Sequence, residues 1–263
     1  MNSLPIPLVQ LQAVASLAAR RGGDYVLNHL HRRKDADTIS RIDVKHTLDR
    51  ESQQLVAETI RAAYPDHGLL GEENLQSGTS DWRWVIDPID GTVNFYHGLP
   101  VWCVSVACQF QGETQAAAVY LPELAKLYEA TRESPATCNG IPLQVAQTPT
   151  LDQAIIQTGA DKSSTAACDF QFLTKIAQIA QRPRIYGAAA ADICFVAESR
   201  SDAFFETGIY IWDIAAAALI LERAGGRFEI LKSDPDGRLA VLAAPPQLFE
   251  SIKQEVQPLL IAD

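Results

Sequence analysis

A short apolar run followed at once by two closely spaced aspartates constrains the fold of this chain more than any other feature. Residues 84–86 predict a buried strand, and Asp87-Pro88 follows them directly. We expect Pro88 to end the strand pairing, because proline has no N–H to donate to a neighbouring strand. Asp90 and the glycine after it favour a turn into a helix, so both carboxylates would lie beside a helix N-terminus. Such a turn suits Mg²⁺ and a phosphate, although both dipeptides are also common in ordinary turns.

The formal net charge of −10 restricts the partners that this chain can bind. It argues against the broad basic surface that nucleic-acid binding requires. A phosphorylated small molecule is compatible with this charge, but clustered carboxylates would repel a phosphate unless divalent cations lay between them. A metal ion is therefore expected to be required at such a site.

The cysteines and the hydropathy predict a cytoplasmic protein. The five cysteines are scattered and odd in number, so we expect reduced thiols rather than disulfides or a zinc site. The first residues lack a basic segment followed by an apolar one, and no apolar run is long enough to span a bilayer. Neither a membrane nor a nucleic acid is expected as a partner.

Periodicity predicts two lobes, residues 1–146 and 147–263, of a layered α/β protein. In the first lobe we predict helices over 8–30 and 49–63, with strands at 39–48, 67–71, 84–86, 101–110, 116–121 and 127–131. In the second we predict strands at 154–157, 184–186, 203–205, 228–231 and 239–243, and helices at 170–181, 189–197, 214–224 and 247–259. The polar residues 144–150 form the expected boundary, and the alternation favours stacked sheets and helices.

A basic run at residues 29–34 ends the first predicted helix. The favoured interpretation is a solvated helix end, because cations interact well with the negative end of the helix dipole. The alternative is a mobile flap that lies near a bound phosphate.

Three further acidic residues have ordinary structural interpretations when each is taken alone. Asp213 precedes an apolar helical segment and could be its N-cap. Glu72 could be an exposed acid at the end of a strand, and Asp49 could simply begin its helix. Their order along the chain, together with residues 87–90, favours a functional interpretation instead.

The chain resembles the inositol monophosphatase family, whose signature set matches three segments of it in order. They are Gly71-Glu72-Glu73, Asp87-Pro88-Ile89-Asp90-Gly91-Thr92 and Trp212-Asp213-Ile214-Ala215-Ala216. The resemblance covers roughly residues 8–245, including the segments 92–100, 203–208 and 222–226. It implies a layered α/β/α/β/α sugar-phosphatase fold with the active site between two lobes. It also implies a homodimer that hydrolyses a small sugar or polyol phosphate with Mg²⁺ and is inhibited by Li⁺.

The resemblance implies a set of metal ligands. Glu72, Asp87 and the Ile89 carbonyl would hold a first Mg²⁺, and Asp87, Asp90 and Asp213 would hold a second. Glu72 would also face a third, weaker ion. Two ions can stabilise both the entering and the leaving oxygen of an in-line displacement, so no nucleophilic serine or cysteine is required.

The resemblance also implies catalytic and substrate-binding residues. Thr92 and Asp49 would activate the attacking water, with Glu72 beside them. The phosphate would be bound by the backbone N–H groups of Gly91 and Thr92, and Asp90 would also contact the substrate. The residues that correspond to the family's contacts with substrate hydroxyls are Gly187, Ala188, Ala189 and Glu206.

One departure from the family pattern concerns the substrate. Ala188 stands where the family commonly has a serine or threonine, so a possible hydroxyl contact is missing. Strict specificity for myo-inositol 1-phosphate is therefore in doubt, and fructose 1,6-bisphosphate, histidinol phosphate or 3′-phosphoadenosine 5′-phosphate are alternative substrates. The last is disfavoured by residues 94–100, which resemble the inositol branch. A non-catalytic regulatory protein that keeps only the fold is a third hypothesis.

Overall fold

The computed structural model describes residues 6–40, 44–159 and 166–260, of which 166–169 are described by their backbone alone. The helices in this part of the chain are α1 (Leu8–Asn28), α2 (Thr47–Ala63), α3 (Thr92–His97), α4 (Ala166–Ile179), α5 (Ala189–Ala197), α6 (Ile211–Arg223) and α7 (Pro246–Val256). The strands are β1 (Ala36–Ile39), β2 (Val44–His46), β3 (Gly68–Gly71), β4 (Leu75–Ser77), β5 (Trp82–Asp90), β6 (Cys103–Phe110), β7 (Glu113–Leu121), β8 (Lys126–Thr131), β9 (Thr137–Cys138), β10 (Ile141–Pro142), β11 (Ile155–Thr158), β12 (Arg182–Arg184), β13 (Ala203–Ile209), β14 (Arg227–Ser233) and β15 (Leu239–Ala244).

Two sheets organise these strands. The larger has eight strands in the order β10-β9-β8-β7-β6-β5-β3-β4, and its neighbours are antiparallel except for the parallel pair β3 and β5. The smaller has five strands in the order β12-β11-β13-β15-β14, with β12, β11 and β13 parallel to one another. A separate antiparallel pair, β1 and β2, leads into α2.

Alternating side chains on these strands separate three layers of helices. On β5, Trp84 and Ile86 pack against α1 and α2, whereas Val85 packs on the opposite side against α5 and α6. On β13, Phe204 faces the α5–α6 layer, and Phe205 faces α4 and α7. The helix and sheet layers therefore alternate as α/β/α/β/α, which confirms the predicted fold.

The middle layer joins the two sheets into one core. Buried alanines of α5 and α6 pack between Val119 of the larger sheet and Val241 of the smaller one. Small side chains let helices and sheets approach closely, so the ends of α5 and α6 are held firmly against β5. The proposed lobe boundary, residues 144–150, lies between β10 and β11 and stays a prediction.

Several predicted element boundaries need correction. The strand predicted over 39–48 is shorter than expected, because β2 occupies only Val44–His46 of this range and α2 already begins at Thr47, while residues 41–43 lie outside the described part of the chain. The helix predicted from residue 214 begins at Ile211, because Tyr210 is its N-cap. β13 and β14 extend beyond the predicted strands, since antiparallel pairing with β15 continues past the purely apolar segments.

Four of the five cysteines and the helices of the described residues bear on disulfide formation and on membrane insertion. Cys103, Cys108, Cys138 and Cys194 are buried and free, and the side chain of Cys168 lies outside the described residues. Among the described helices, none combines the length and the apolar character needed to cross a membrane.

Candidate active site

A β-bulge in β5 brings Asp87 and Asp90 to the same place. Asp87 pairs with Ser105 of β6 and Asp90 pairs with Cys103, so β5 carries one extra residue between them. Residues three apart point to opposite faces of a regular strand, and the extra residue reverses this relation. The predicted end of pairing at Pro88 is wrong, because a bulge accommodates a residue that donates no ladder hydrogen bond.

Asp87 is the most deeply buried acid of this cluster. Its side chain is 1% exposed, and Oδ1 accepts a hydrogen bond from the Ile89 N–H at 3.1 Å. Burial raises the pKa of the Asp87 carboxyl well above its usual range, and neighbouring negative charges raise it further. These charges belong to Glu72, Asp90, Asp213 and Asp49. The fold therefore gathers the predicted acids around one buried carboxyl.

Asp90 connects β5 to the start of α5. Its Oδ1 accepts from the Ala189 N–H at 3.1 Å, and its Oδ2 accepts from the Ala190 and Ala191 N–H groups at 2.8 and 3.4 Å. The Cys103 thiol donates to the same Oδ2 at 3.4 Å. Burial raises the pKa of Asp90 to about 6, although these hydrogen bonds act in the opposite direction. Asp90 thus holds the predicted substrate segment against the predicted metal ligands.

Asp49 and Thr92 meet at the start of two helices. Asp49 lies in the first turn of α2, is 2% exposed, and accepts the His46 N–H at 3.0 Å through Oδ2. The Thr92 hydroxyl, at the start of α3, lies 3.5 Å from Asp49 Oδ1 and 2.9 Å from the Ile89 carbonyl oxygen. The structure therefore brings together the two residues predicted to activate water, and the shorter contact goes to the carbonyl predicted as a metal ligand.

Glu72 is exposed and directly follows β3. Its backbone N–H donates to the Ile86 carbonyl at 3.3 Å, which fixes the chain beside β5. The next residue, Glu73, is held by the Gln53 side chain, whose amide contacts the Glu73 carbonyl and N–H, both at 3.1 Å. The charge of Glu72 is the largest of the neighbouring charges acting on Asp87, so this acid belongs to the cluster.

Asp213 is half-buried in the first turn of α6. The alternative of an N-cap aspartate is wrong, because the N-cap is Tyr210 and Asp213 lies three residues later. Its Oδ2 accepts the Tyr210 N–H at 2.6 Å, which completes a reciprocal capping arrangement. Asp213 thus has a structural role, and its charge still raises the pKa of Asp87.

The turn at Gly91 lies directly against the predicted substrate segment. Gly91 has φ +87°, and a Cβ at this position would lie 3.0 Å from both the Ala188 Cβ and the Val101 carbonyl oxygen. Glycine is required there by both the backbone conformation and the space. Ala188 is 1% exposed, so its methyl group packs on this turn.

Asn94 joins the same loops from α3. Its amide donates to the Val101 carbonyl at 2.7 Å and to the Tyr186 carbonyl at 2.6 Å. Gly187, which follows, is exposed with φ +79°, whereas Ala189 is 6% exposed. The backbone of this segment therefore lies beside α3 in a fixed position.

Glu206 is a half-buried acid on β13. A Cβ at Gly159 would lie 1.8 Å from Glu206 Oε1, so the carboxylate rests directly against the backbone of Gly159. Burial raises the pKa of Asp192 on α5, and the charge of Glu206 raises it further. Glu206 thus lies on the side of the site formed by α5.

The basic run at residues 29–34 packs against the helices of the site. The Arg32 guanidinium pairs with Glu51 of α2 at 2.8 Å, and Lys34 Nζ lies 3.7 Å from the centre of the Tyr96 ring of α3. Arg33 and Lys34 stay exposed, as the solvated interpretation expected. The run nevertheless contacts the two helices that carry Asp49 and Thr92.

The donor set of this cluster suits a hard cation such as Mg²⁺. It consists of carboxylates and one carbonyl, and the mutual repulsion that raises the pKa of Asp87 is what a divalent cation would relieve. Within residues 6–40, 44–159 and 166–260, no three His, Cys, Asp or Glu side chains are already arranged to hold a metal ion. The acids therefore fit Mg²⁺ by type and by charge, and their coordination of an ion stays a prediction.

The raised pKa values predict how Mg²⁺ should change stability with pH. Folded Asp87 and Asp90 bind protons that the unfolded chain releases near pH 4, so the chelated protein should lose stability as pH rises through 6. We expect the gap in Tm between Mg²⁺-saturated and chelated protein to widen by on the order of 5 °C from pH 5 to pH 7. Thermal melts at both pH values measure this gap.

The difference in Tm between the Mg²⁺-saturated and the chelated protein reports only the groups that respond to Mg²⁺. Burial lowers the pKa of His67, which by itself makes stability rise with pH, but this contribution is the same with and without Mg²⁺. A gap in Tm that stays constant from pH 5 to pH 7 would contradict the assignment of Asp87 and Asp90 as ligands.

Sequence reasoning missed several residues that support the site. On α2, Ser52 donates to the Pro88 carbonyl at 3.2 Å, and Gln53 holds Glu73 as described above. Both are buried, at 0% and 6% exposure, on the same helix face as Asp49. The spacing of Asp49, Ser52 and Gln53, three and four residues apart, was a usable signal for a polar face directed at the site.

The protein has five alternating layers of helix and sheet, and an acidic cluster lies where β5 meets the first turns of α2, α3 and α6. This combination of fold and site defines the class of the protein. The chain belongs to the inositol monophosphatase family, whose profile matches residues 8–260.

Curated relatives and solved structures agree with this membership. A protein of Pasteurella multocida named Nus factor SuhB is 36% identical over 259 residues, which are 94% of this chain and 96% of the relative. An inositol monophosphatase of Dictyostelium discoideum is 35% identical over 237 residues, covering 86% of this chain and 85% of the relative. The structure of an inositol monophosphatase from Anabaena superposes with a TM-score of 0.84 at 28% identity, covering 95% of this chain and 96% of the other.

Proposed function

We propose that this protein is a Mg²⁺-dependent phosphomonoesterase that acts on small sugar or polyol phosphates. The observation that carries the proposal is the buried Asp87 carboxyl, whose pKa is raised by burial and by four surrounding acids. A fold gains no stability from gathering like charges in a buried place, so the arrangement favours a function that recruits cations. Family membership supports the same class of reaction.

The proposed ligands of Mg²⁺ are Glu72, Asp87, the Ile89 carbonyl, Asp90 and Asp213. When bound, Mg²⁺ would supply charge neutralisation and Lewis acidity toward the phosphate oxygens. The proposed site holds two Mg²⁺ ions and a third that binds more weakly.

The chain's own residues would orient water and phosphate. Asp49 is held by the His46 N–H through Oδ2, so Oδ1 is directed toward Thr92 and can accept a proton from a water molecule that contacts both residues. The backbone N–H groups of Gly91 and Thr92, at the start of α3, are the proposed phosphate donors. Positioning of this kind accounts for most of the catalysis in phosphoryl transfer.

A substrate panel with Mg²⁺ and with chelator tests the proposal. We expect turnover of myo-inositol 1-phosphate or other polyol phosphates with Mg²⁺, loss of turnover in EDTA, and recovery when excess Mg²⁺ is restored. Turnover that persists in EDTA would contradict the metal requirement.

The relatives named Nus factor SuhB favour a second candidate, a role as a Nus factor that needs no catalysis. The same panel separates the two. A correctly folded protein that hydrolyses none of the phosphates with Mg²⁺ or Mn²⁺ would make the second candidate the better description.

The substrate side predicts broad specificity. Ala188 offers no hydroxyl and is buried, whereas Glu206 keeps a half-buried carboxylate that can accept hydrogen bonds from a polyol. Sites with few fixed polar partners discriminate weakly, so several polyol phosphates should have kcat/KM values within about two orders of magnitude. Steady-state kinetics across the panel measure this range.

Glu206→Gln provides the corresponding test of the substrate side. It should change the ranking among polyol phosphates more than the rate on p-nitrophenyl phosphate, whose leaving group has no hydroxyls to bind. An equal loss on every substrate, or one substrate preferred at least a thousandfold, would contradict broad specificity.

A further inference from the structure

His46 is a buried histidine at the junction of three elements. It ends β2, caps α2 and is 1% exposed. Its Nδ1 lies 3.0 Å from the Leu48 backbone N, and its Nε2 lies 3.0 Å from the Arg32 carbonyl oxygen. Its ring packs edge-on against Phe95 of α3, with ring centres 5.5 Å apart. The ring therefore contacts α2, α3 and the chain segment after α1.

These partners require one form of the imidazole. The Leu48 N–H can only donate, so Nδ1 must be the acceptor, and the Arg32 carbonyl can only accept, so Nε2 must carry the proton. Both ring nitrogens are thereby satisfied in a neutral ring. An imidazole supplies an acceptor and a donor at the two ends of a rigid plane, a combination that neither serine nor threonine at an N-cap provides.

His46 also contacts the first turn of α2 through its backbone. Its N–H donates to Asp49 Oδ2 at 3.0 Å while its ring caps Leu48, so both hydrogen bonds fix the first turn of α2. Phe95, on which the ring packs, lies three residues after Thr92 on α3. One residue thus contacts both the helix that carries Asp49 and the helix that carries Thr92, and the nearest side-chain oxygens of Asp49 and Thr92 are 3.5 Å apart.

We propose that His46 is a positioning residue for catalysis, fixing Asp49 against Thr92 by joining α2 to α3 and to the Arg32 carbonyl. The inference rests on the proposed function, in which Asp49 and Thr92 activate water. The proposed role goes beyond the stability of α2. An ordinary N-cap residue contacts only its own helix, whereas the His46 ring also contacts Arg32 and Phe95, which orient it.

Two substitutions separate positioning from stability. His46→Ala removes all three ring contacts, and His46→Asn restores an N-cap acceptor but cannot also reach Arg32 and pack on Phe95. Thr59→Ala is the matched control, because Thr59 is buried at the other end of α2, where its hydroxyl donates to the Leu55 carbonyl. It should weaken the packing of α2 on α1 without moving Asp49, because Arg21 Nη1 of α1 donates to the Thr59 hydroxyl at 2.9 Å.

We expect His46→Ala to lower kcat by about tenfold to a hundredfold, because small misplacements of reacting groups have effects of this size. KM and the Mg²⁺ concentration for half-maximal activity should stay within about twofold of wild type, since His46 contacts no proposed ligand of either. His46→Asn should recover most of the lost Tm while kcat stays at least about fivefold below wild type. Thr59→Ala should lower Tm and leave kcat unchanged.

Recovery of both Tm and kcat in His46→Asn would overturn the proposal, because capping alone would then explain the residue. Equal losses of kcat in His46→Ala and Thr59→Ala would overturn it as well. A crystal structure of His46→Ala provides a readout that does not depend on activity, and we expect Asp49 Oδ1 to lie farther from Thr92 Oγ1 than in wild type. Absence of turnover by wild type would refute the proposed function, and an unchanged distance in that crystal structure would refute the positioning role.

Discussion

Replacing Asp87 by asparagine should raise the stability of the chelated protein and lower Mg²⁺-dependent turnover by about a thousandfold, or ~4 kcal/mol of transition-state stabilisation. The two effects have one cause. The carboxyl is buried among acids that raise its pKa, so its charge destabilises the fold while it serves to bind cations. Asparagine keeps an oxygen for the Ile89 N–H and directs its new amide donors toward neighbouring carboxylates.

Thermal melts in EDTA and steady-state kinetics with saturating Mg²⁺ measure the two effects. Asp202→Asn is the control, since Asp202 is also a buried acid but belongs to no predicted ligand or substrate set, and it accepts the Ile155 N–H and the Thr148 hydroxyl far from Asp87 in the chain. It should keep turnover within about tenfold of wild type. Activity retained in Asp87→Asn, or a fall in its Tm in EDTA, would contradict the assignment.

Asp90 is a poorer choice for this test. Its carboxylate accepts hydrogen bonds from the N–H groups at the start of α5, so an asparagine amide would have to face backbone donors. Asp90→Asn would therefore lose stability for a reason unrelated to metal binding.

Asp49→Asn should lower kcat by about two to four orders of magnitude, the usual contribution of a general base. Asparagine keeps an oxygen for the His46 N–H, so the cap of α2 should survive and the change should act on proton transfer. KM and the Mg²⁺ requirement should change little. Steady-state kinetics and a Mg²⁺ titration measure these quantities.

Thr92 supplies the matched pair of variants. Thr92→Ser keeps the hydroxyl and should retain kcat within about tenfold, whereas Thr92→Val should resemble Asp49→Asn. If both residues act on one water, the double variant Asp49→Asn/Thr92→Val should be little worse than either single variant. Additive losses in the double variant would show that the two residues act independently.

The fold could be predicted from the sequence to a large extent. Alternating apolar residues along β5 and β13 have to face helix layers on both sides, which by itself implies stacked layers. The boundaries that failed involve hydrogen bonding between distant segments. β5 continues through Pro88 because β6 accommodates a bulge, and α6 begins early because the Tyr210 N–H finds Asp213.

The sequence by itself determined the chemistry of the site, because the types and order of Glu72, Asp87, Asp90 and Asp213 identify the family and favour oxygen ligation of Mg²⁺. Only the tertiary structure decided how these acids are supported. Segments far apart in the chain are joined by the hydrogen bonds of Asp90 to α5, of Gln53 to Glu73 and of His46 to Arg32. Local patterns carry no information about such contacts, since packing of the layers decides which polar groups meet and which charges share a buried place.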